Sequence, residues 1–569
     1  MGEEENPYAG RWIARLRGRV VAQGGTPEQA RRAALSRFTE SHEVVFMPSV
    51  SPLTLSPLIE SIRAALPDGL AVYLVGGAVR DALLGRSTHD LDFTLKRDAI
   101  KLARRIADTL KADFYPLDAD RDTGRVLVTN EDGTRTSLDF ASFRGADLES
   151  DLGGRDFTLN AMAFNLIDNT IHDPLGGAMD LKGKRLRACS QSTFKDDPVR
   201  ILRGIRLAAN FGFHILPETR VLMKEAAGLL GNVSPERLRD ELFRILEGQQ
   251  PAACLRSLDL LGALVKVLPE LSALKGVEQI SPHVHDVWDH TLSVVSHLES
   301  ALAILRPDYN PTPLDGDPAE FALIQTIGAS QSGRQANDWF NGLLALRIGR
   351  FRQQIGDTLS TSSITGRSLR SLLFLAAIYH DIAKPQAKKV DEDGQVRFWG
   401  HDQQGAEVAS ARARLLVLSR EEIQRLDTII QNHMRIHFHT NRLLREGKPP
   451  SRRAVYRYFR DTGSAGVDIC LLTLADLRAT YEQTLPQDTW VACLDVIRIM
   501  LEAWFEKREE QVFPLALVDG NDLMNEMSLK PGPLIGKLIE AVREAQAIGT
   551  VSTREQALDF VREWLKKNK

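Results

Sequence analysis

Asp90 and Asp92 stand two residues apart in a run, LDFTL, that reads as a β-strand. At a strand's period of two, both side chains project from one face, with α-carbons roughly 6–7 Å apart. Carboxylates so placed can hold Mg²⁺ ions about 3.5–4 Å apart, the arrangement used for in-line phosphoryl transfer. Upstream, Gly76 and Gly77 end a buried strand, AVYLVGG, and precede a short helix, AVRDALLG. Amides without side chains can approach a triphosphate at a helix N-terminus. Asp139, in the strand TSLDFAS, is the candidate third carboxylate. A lone DxD also suits a solvated turn, and Asp139 reads equally well as a strand-end residue facing solvent.

A second constellation lies far downstream. His290 falls in HDVWDHTLSVV, and His380-Asp381 end the strongly apolar LLFLAAIYHDIAKP. His401 lies in FWGHDQQGAE, His433 in QNHMRIH and Asp476 in LLTLADLRATY. An adjacent His and Asp at the end of a buried helix are costly unless they bind something. Four His and two Asp suit a transition divalent ion such as Mn²⁺, Ni²⁺, Fe²⁺ or Zn²⁺. A competing dyad, His285-Asp286, sits in the polar, pre-helical SPHVHDVW and is set aside.

The elements that must position these groups follow from length and pattern. The chain has 569 residues, enough for three or four domains at roughly 100–200 residues each. Its 72 Lys+Arg and 75 Asp+Glu give a net charge of −3, so a nucleic-acid partner must meet a local basic patch. Four scattered Cys without a CxxC pair argue against a zinc ribbon or disulfide framework and fit a reducing compartment. No apolar stretch is long enough to span a membrane and no signal sequence opens the chain, so a soluble, cytosolic protein is expected. Residues 1–48 form an Arg- and Ala-rich extension with one helix in TPEQARRAALSRF. Strands and helices alternate over 52–185, an α+β module with a small mixed sheet. Beyond about 190 the pattern is helical: 186–280, then 281–480 with an insertion or linker at 306–366, then a tail over 481–569.

The string LVGGAVRDALLGRSTHDLDFTL resembles the head motif of the nucleotidyltransferase superfamily that contains DNA polymerase β. More closely, it resembles class II tRNA nucleotidyltransferases (CCA-adding enzymes) and bacterial poly(A) polymerases. GRDFTLNAMAFN and DDPVRILRGIRLAANFGF resemble the next two motifs of that class, in order. The first reads as a helix opened by Arg155 and Asp156, and the second sets Asp197, Arg200 and Arg203 at helical spacing. H…HD…H…H…D resembles the HD phosphohydrolase superfamily. There His290, His380, Asp381 and Asp476 match the shared ligands, and His401 and His433 complete a second metal position. Residues 514–569 resemble the C-terminal module of HD-containing tRNA nucleotidyltransferases, with Lys530 and Lys537 available for a phosphate backbone.

The resemblance implies a polymerase β-like α+β head, all-α neck, body and HD domains, and template-independent addition of CCA to the tRNA 3′ end from CTP and ATP. Asp90 and Asp92 would bind Mg²⁺, while Gly76, Gly77, Arg80, Arg155, Asp156 and Arg203 would line the nucleotide site. In the family, the residues matching Asp197 and Arg200 read the base. A carboxylate accepts from the exocyclic amine of C or A, and an Arg donates to the neighbouring ring nitrogen. The family often has Glu where this chain has Asp196. A-only, CC-only and poly(A) polymerases share every motif, and an HD phosphohydrolase as the main activity is the rival of another class. Switching from C to A requires a mobile loop between Asp92 and Arg155, for which PLDADRDTGR (116–125) is the candidate.

Overall fold

The alternation in LDFTL becomes a two-faced strand. Leu91, Phe93 and Leu95 are buried, while Asp90 and Asp92 stay open to solvent on the opposite face. The structure is a computed structural model that describes residues 11–17, 19–38, 43–47, 55–130, 132–310, 333–361, 366–392 and 395–567. It divides into two units, Met1–Val233 with Leu261–Ala263, and Ser234–Leu260 with Leu264–Lys569.

The first unit is built on a ten-stranded sheet. In chain order the strands are β1 (Arg11–Leu16), β2 (Arg19–Gly24), β3 (Glu43–Met47), β4 (Val72–Val75), β5 (Asp90–Leu95), β6 (Asp113–Asp118), β7 (Thr123–Thr129), β8 (Arg135–Ser142), β9 (Ala163–Asn165) and β10 (Ile171–His172). Their spatial order is β2-β1-β3-β10-β9-β4-β5-β8-β7-β6. β5 and β8 run parallel, with Asp92 beside Asp139 and Phe93 beside Phe140. The helices in this stretch are α1 (Pro27–Leu35), α2 (Leu58–Ala65), α3 (Gly77–Leu83), α4 (Ala99–Leu110) and α5 (Leu148–Gly153). α4 buries Ala99, Leu102, Ala103, Ile106 and Ala107, the three-to-four spacing of an amphipathic helix. The Phe93 and Phe140 rings stack at 4.7 Å, locking the apolar underside of the parallel pair.

Three expectations change here. The N-terminal extension supplies β1, β2 and β3 as well as the expected α1, and these strands continue the head's own sheet through β10. Trp12, Ile13 and Ala14 are fully buried there. GRDFTLNAMAFN forms no α-helix. It is a 3₁₀ turn, Thr158–Asn160, followed by β9. Phe157, Leu159, Ala161, Met162 and Ala163 are all buried, so its apolar run serves a segment enclosed on every side. Asp197 is not on a helix with Arg200 but extended, between Thr193–Asp196 and Arg200–Phe211. Pro198 disfavours helical geometry in the residue before it.

Among its described residues, the second unit is helical apart from a two-stranded pair, Lys389–Val390 with Val396–Arg397. Residues 311–332 and 362–365 of the expected insertion lie outside the described residues. The stretch between them forms helices Gly333–Ile348 and Arg352–Ser360, joined by the 3₁₀ turn Gly349–Phe351, and buries Trp339, Phe340, Leu344, Phe351 and Ile355. Trp490 Nε1 donates to the Phe340 carbonyl at 3.2 Å. Helices Gly520–Met527, Pro533–Ala547 and Arg554–Lys567 share a core centred on Leu523, Leu538 and Val561. No helix among the described residues is long and apolar enough to cross a membrane.

Trp12 tests whether the N-terminal strands belong to the head. Its ring lies 5.1 Å from Phe46, and its indole N–H has no partner among the described residues. Trp12→Ala should cost about 3–5 kcal/mol in urea unfolding. Trp12→Phe, which removes an unpaired buried donor and keeps a ring, should cost less than half of that. Equal, small losses would mean the strands are not part of the folding core.

Candidate active site and metal centre

The exposed face of β5 and β8 gathers the carboxylates. Asp90 and Asp92 alternate with buried residues, and the parallel register sets Asp139 beside Asp92. The protein packed around the Asp92 carboxylate partly desolvates it and raises its pKa, although the side chain still reaches solvent. Asp139 and Asp90 raise it further, against Arg155 and Arg203, which lower it. A group of acid oxygens whose mutual repulsion is only partly offset is a donor set for hard divalent cations. Asp139 is also gripped by Arg125 from β7, with Nε and Nη2 each 2.7 Å from a carboxylate oxygen. Sequence reasoning passed over Arg125, although counting back from the EDGT turn puts it opposite Asp139.

Gly76 forms the opposite wall. Its φ of +74° and ψ of −140° suit glycine alone. A Cβ there would stand 3.2 Å from Asp92 Oδ2 and 3.4 Å from Arg155 Nη1. Gly77 then starts α3, and the third position on, Arg80, is buried. Arg80 forks onto Asp81 at 2.9 Å, donates to Asn160 Oδ1 at 2.8 Å and lies 4.6 Å above the Phe211 ring. Asn160 Nδ2 donates to Asp156 at 3.1 Å, and Asp156 pairs with Arg203 at 3.0 Å. Arg80, Asp156 and Arg203 therefore form one connected frame. Arg155 pairs with Asp151 at 3.1 Å. Arg200 donates to the carbonyls of Gly154, Arg155 and Thr193 at 2.9–3.3 Å, and its Nε is 3.8 Å from Asp197. The base-reading candidates are adjacent, with Arg200 bound to main chain. Asp196 accepts from Ser192 Oγ at 2.7 Å.

The candidate switching loop, 116–125, is the end of a hairpin. It spans the end of β6 and the start of β7. Asp122 accepts from the amides of Ala99 and Ile100 at 2.7 and 3.0 Å and from Ser142 Oγ, capping α4 from outside the helix.

In the second unit the expected six ligands converge into two buried groups, His290, His380 and Asp476, and Asp381, His401 and His433. His290 Nε2 is 3.1 Å from Asp476 Oδ1, and His380 Nε2 is 3.1 Å from Asp381 Oδ2. The Nδ1 atoms of His380, His401 and His433 contact the carbonyls of Ala377, Phe398 and Ile430 at 2.7–2.8 Å. A carbonyl only accepts, so each Nδ1 carries the proton and each Nε2 presents a lone pair. Nε2 of His401 and Nε2 of His433 face each other at 3.2 Å, and Asp381 Oδ1 is 3.4 Å from the former. Buried lone pairs and carboxylate oxygens so close repel unless a cation lies among them, so these residues fit a metal. Burial pushes His433 down to about 3, keeping it neutral. Burial alone would raise Asp381, but the neighbouring Lys384 ammonium is among the charges that hold its carboxyl well below the usual range.

Two residues here escaped the sequence reading. Lys384 Nζ is 2.7 Å from Asp381 and 2.6 Å from Gln279 Oε1, and His437 Nε2 is 2.8 Å from Asp476 Oδ2. The i+4 spacing of His433 and His437 was the available signal. The discounted pair stays outside the cluster: Asp286 caps the helix Val287–Ile304, and His285 lies 3.5 Å from Glu482.

Comparison with known proteins places most of the chain in described families. Family models match residues 72–187 (Poly A polymerase head domain), 212–275 ("Probable RNA and SrmB- binding site of polymerase A"), 345–461 (HD domain) and 514–561 (tRNA nucleotidyltransferase domain 2). The CC-adding tRNA nucleotidyltransferase of Thermus thermophilus is 30% identical over 86% of this chain and 93% of its own length. The chain belongs to the tRNA nucleotidyltransferase family. Another relative, the A-adding tRNA nucleotidyltransferase of Deinococcus radiodurans, is 28% identical over 88% of this chain and 96% of its own. A solved CCA-adding enzyme complexed with CTP superposes with a TM-score of 0.53 at 20% identity, over 90% of this chain and 97% of that one, and shares its fold. This tRNA nucleotidyltransferase is thus an enzyme with a polymerase β-like head and a helical HD domain.

Gly76 offers the sharpest test of the head's geometry. Gly76→Ala should lower kcat/KM for nucleotide incorporation about 100-fold, as a small misplacement of reacting groups does. Gly85→Ala shares a positive φ of +69° but has nothing within 4 Å of its added carbon. It should retain activity once corrected for folded protein, and equal activity loss in the two variants would contradict the assignment.

Proposed function

We propose that the head joins C and A residues from CTP and ATP to the 3′ end of tRNA, building or repairing CCA. The observation that carries this reading is the open face on which Asp90, Asp92 and Asp139 meet the Gly76 turn and Arg155. The 3′-hydroxyl oxygen attacks the α-phosphorus, the bond to the β-phosphate oxygen breaks, and pyrophosphate leaves as the hydroxyl proton is lost. Mg²⁺ held by Asp90 and Asp92 would neutralise phosphate charge and lower the hydroxyl's pKa. The Gly76–Gly77 amides and Arg155 orient the triphosphate, and most of the rate comes from positioning. Asp197 accepts from the amine of C or A. Arg200 spends three of its five N–H groups on main-chain carbonyls, which fix its guanidinium, and its remaining donors can meet the ring nitrogen.

A narrower reading, addition of CC without the terminal A, follows the name of one similar relative, while another is named for A alone.

In the HD domain, the ligand lone pairs support a transition-metal phosphohydrolase centre, with Mn²⁺, Ni²⁺, Fe²⁺ or Zn²⁺ as candidate ions. The bound metal would supply activated water and charge neutralisation. His380, His401 and His433 would hold it, oriented by their carbonyl partners, and Lys384 would keep Asp381 ionised.

Incorporation on tRNAs ending before CCA, after C and after CC, with CTP and ATP singly and together and products sized to one nucleotide, tests the main reading. Completion of CCA followed by a stop is the expected result. A stop after CC with ATP refused would establish the narrower reading, and long A tails or no incorporation would overturn both.

A further inference from the structure

The row of side chains that holds the head's carboxylates continues past them. Residues directly opposed on paired strands share a face. The registers set Asp92 beside Asp139, Asp139 beside Arg125, and Arg125 beside Tyr115. One line of side chains therefore crosses β5, β8, β7 and β6 on the open face of the sheet. Tyr115 stands two strand spacings, about 10 Å, from Asp139 along that line. Its strand, β6, is the sheet's edge and has two distinct faces. Phe114 turns towards α4, where the Arg104 guanidinium lies 4.9 Å from its ring centre. Tyr115 turns the other way, onto the carboxylates' face, and is 49% exposed.

In-line transfer brings the attacking oxygen to the side of phosphorus opposite the leaving pyrophosphate. The Gly76 turn and Arg155 receive the triphosphate on the β4 side of Asp92. The acceptor must then enter over β8, β7 and β6, and Tyr115 is the aromatic ring on that floor. Arg125 is committed to Asp139, and Asp113 and Asp118 bracket the ring along β6, so the floor offers a stacking surface and not a cationic track. A second copy pairing its own edge strand here is disfavoured by Pro116, which cannot donate to a ladder. Stacking tolerates any base, since every base has a π-face. That tolerance is what this acceptor needs, because its last base changes with each nucleotide added. We propose that Tyr115 stacks on the 3′-terminal base of the acceptor RNA and so sets its hydroxyl beside Asp139. The inference deepens the nucleotide-transfer reading and rests on it.

The test uses the full chain with Mg²⁺ and every tRNA end that the parent extends, varying tRNA at saturating nucleotide and nucleotide at saturating tRNA. Removing one stacked ring should cost about 10-fold in kcat/KM for tRNA. Tyr115→Ala should show that loss on each tRNA end alike, with KM for the nucleotide unchanged, and Tyr115→Phe should stay near the parent. A second readout places 2-aminopurine at the acceptor's terminal base. Its fluorescence should be quenched when the parent binds and much less quenched by Tyr115→Ala, a difference that a role in folding alone would not produce. A parental kcat/KM for tRNA in Tyr115→Ala, or a loss that falls on KM for the nucleotide instead, overturns the acceptor site and leaves nucleotide transfer standing. A parent chain that incorporates no nucleotide on any tRNA end overturns that reading and the acceptor site with it.

Discussion

Repulsion among three carboxylates on one face of two parallel strands organises the head. Asp90 and Asp92 share a strand, and Asp139 arrives beside Asp92 only because β5 and β8 run parallel in that register. Arg125 offsets Asp139 directly, and Arg155 and Arg203 act on Asp92. The remaining negative charge calls for cations and, through them, for the phosphates of a triphosphate. The supporting architecture keeps that unfavourable group in place. The Phe93–Phe140 stack and α4 fix the underside, and the glycine at 76 leaves room for the Asp92 carboxylate.

The HD centre solves a related problem with a different donor set. Three imidazoles are turned by main-chain carbonyls so that their free nitrogens point at one another and at Asp381. The head is all oxygen and open; the HD centre mixes nitrogen and oxygen and is buried. An all-oxygen set suits hard divalent cations, and a mixed nitrogen–oxygen set suits softer ones.

Much of this was legible in the sequence because the informative residues sit in regular elements. LDFTL alternates cleanly, the double glycine ends a buried strand, and all six expected HD ligands converge. What was hidden depended on pairing or enclosure. β1 to β3 are five or six residues long, and the partner that joins β3 to the head, β10, is two residues long and more than 120 residues away, so no local pattern announces them. The run around Phe157 to Ala163 reads as helical because its apolar residues recur at three-to-four spacing, but enclosure buries the polar Thr158 and Asn160 among them as well, so no single face is marked. Arg125 is visible only through the β7–β8 register, and Pro198 could have warned that Asp197 leaves the helix.

The most direct test of the account is nucleotide transfer by two variants of the full chain, one for each centre. The account places the chemistry on the head's carboxylates. Asp92→Asn should reduce CTP incorporation at least 1000-fold, on the order expected when transition-state charge stabilisation is lost, with tRNA still bound. His380→Ala should leave incorporation within a few-fold of the parent while losing metal from the HD centre. Incorporation that survives Asp92→Asn, or that falls with His380→Ala to the same extent, would contradict it.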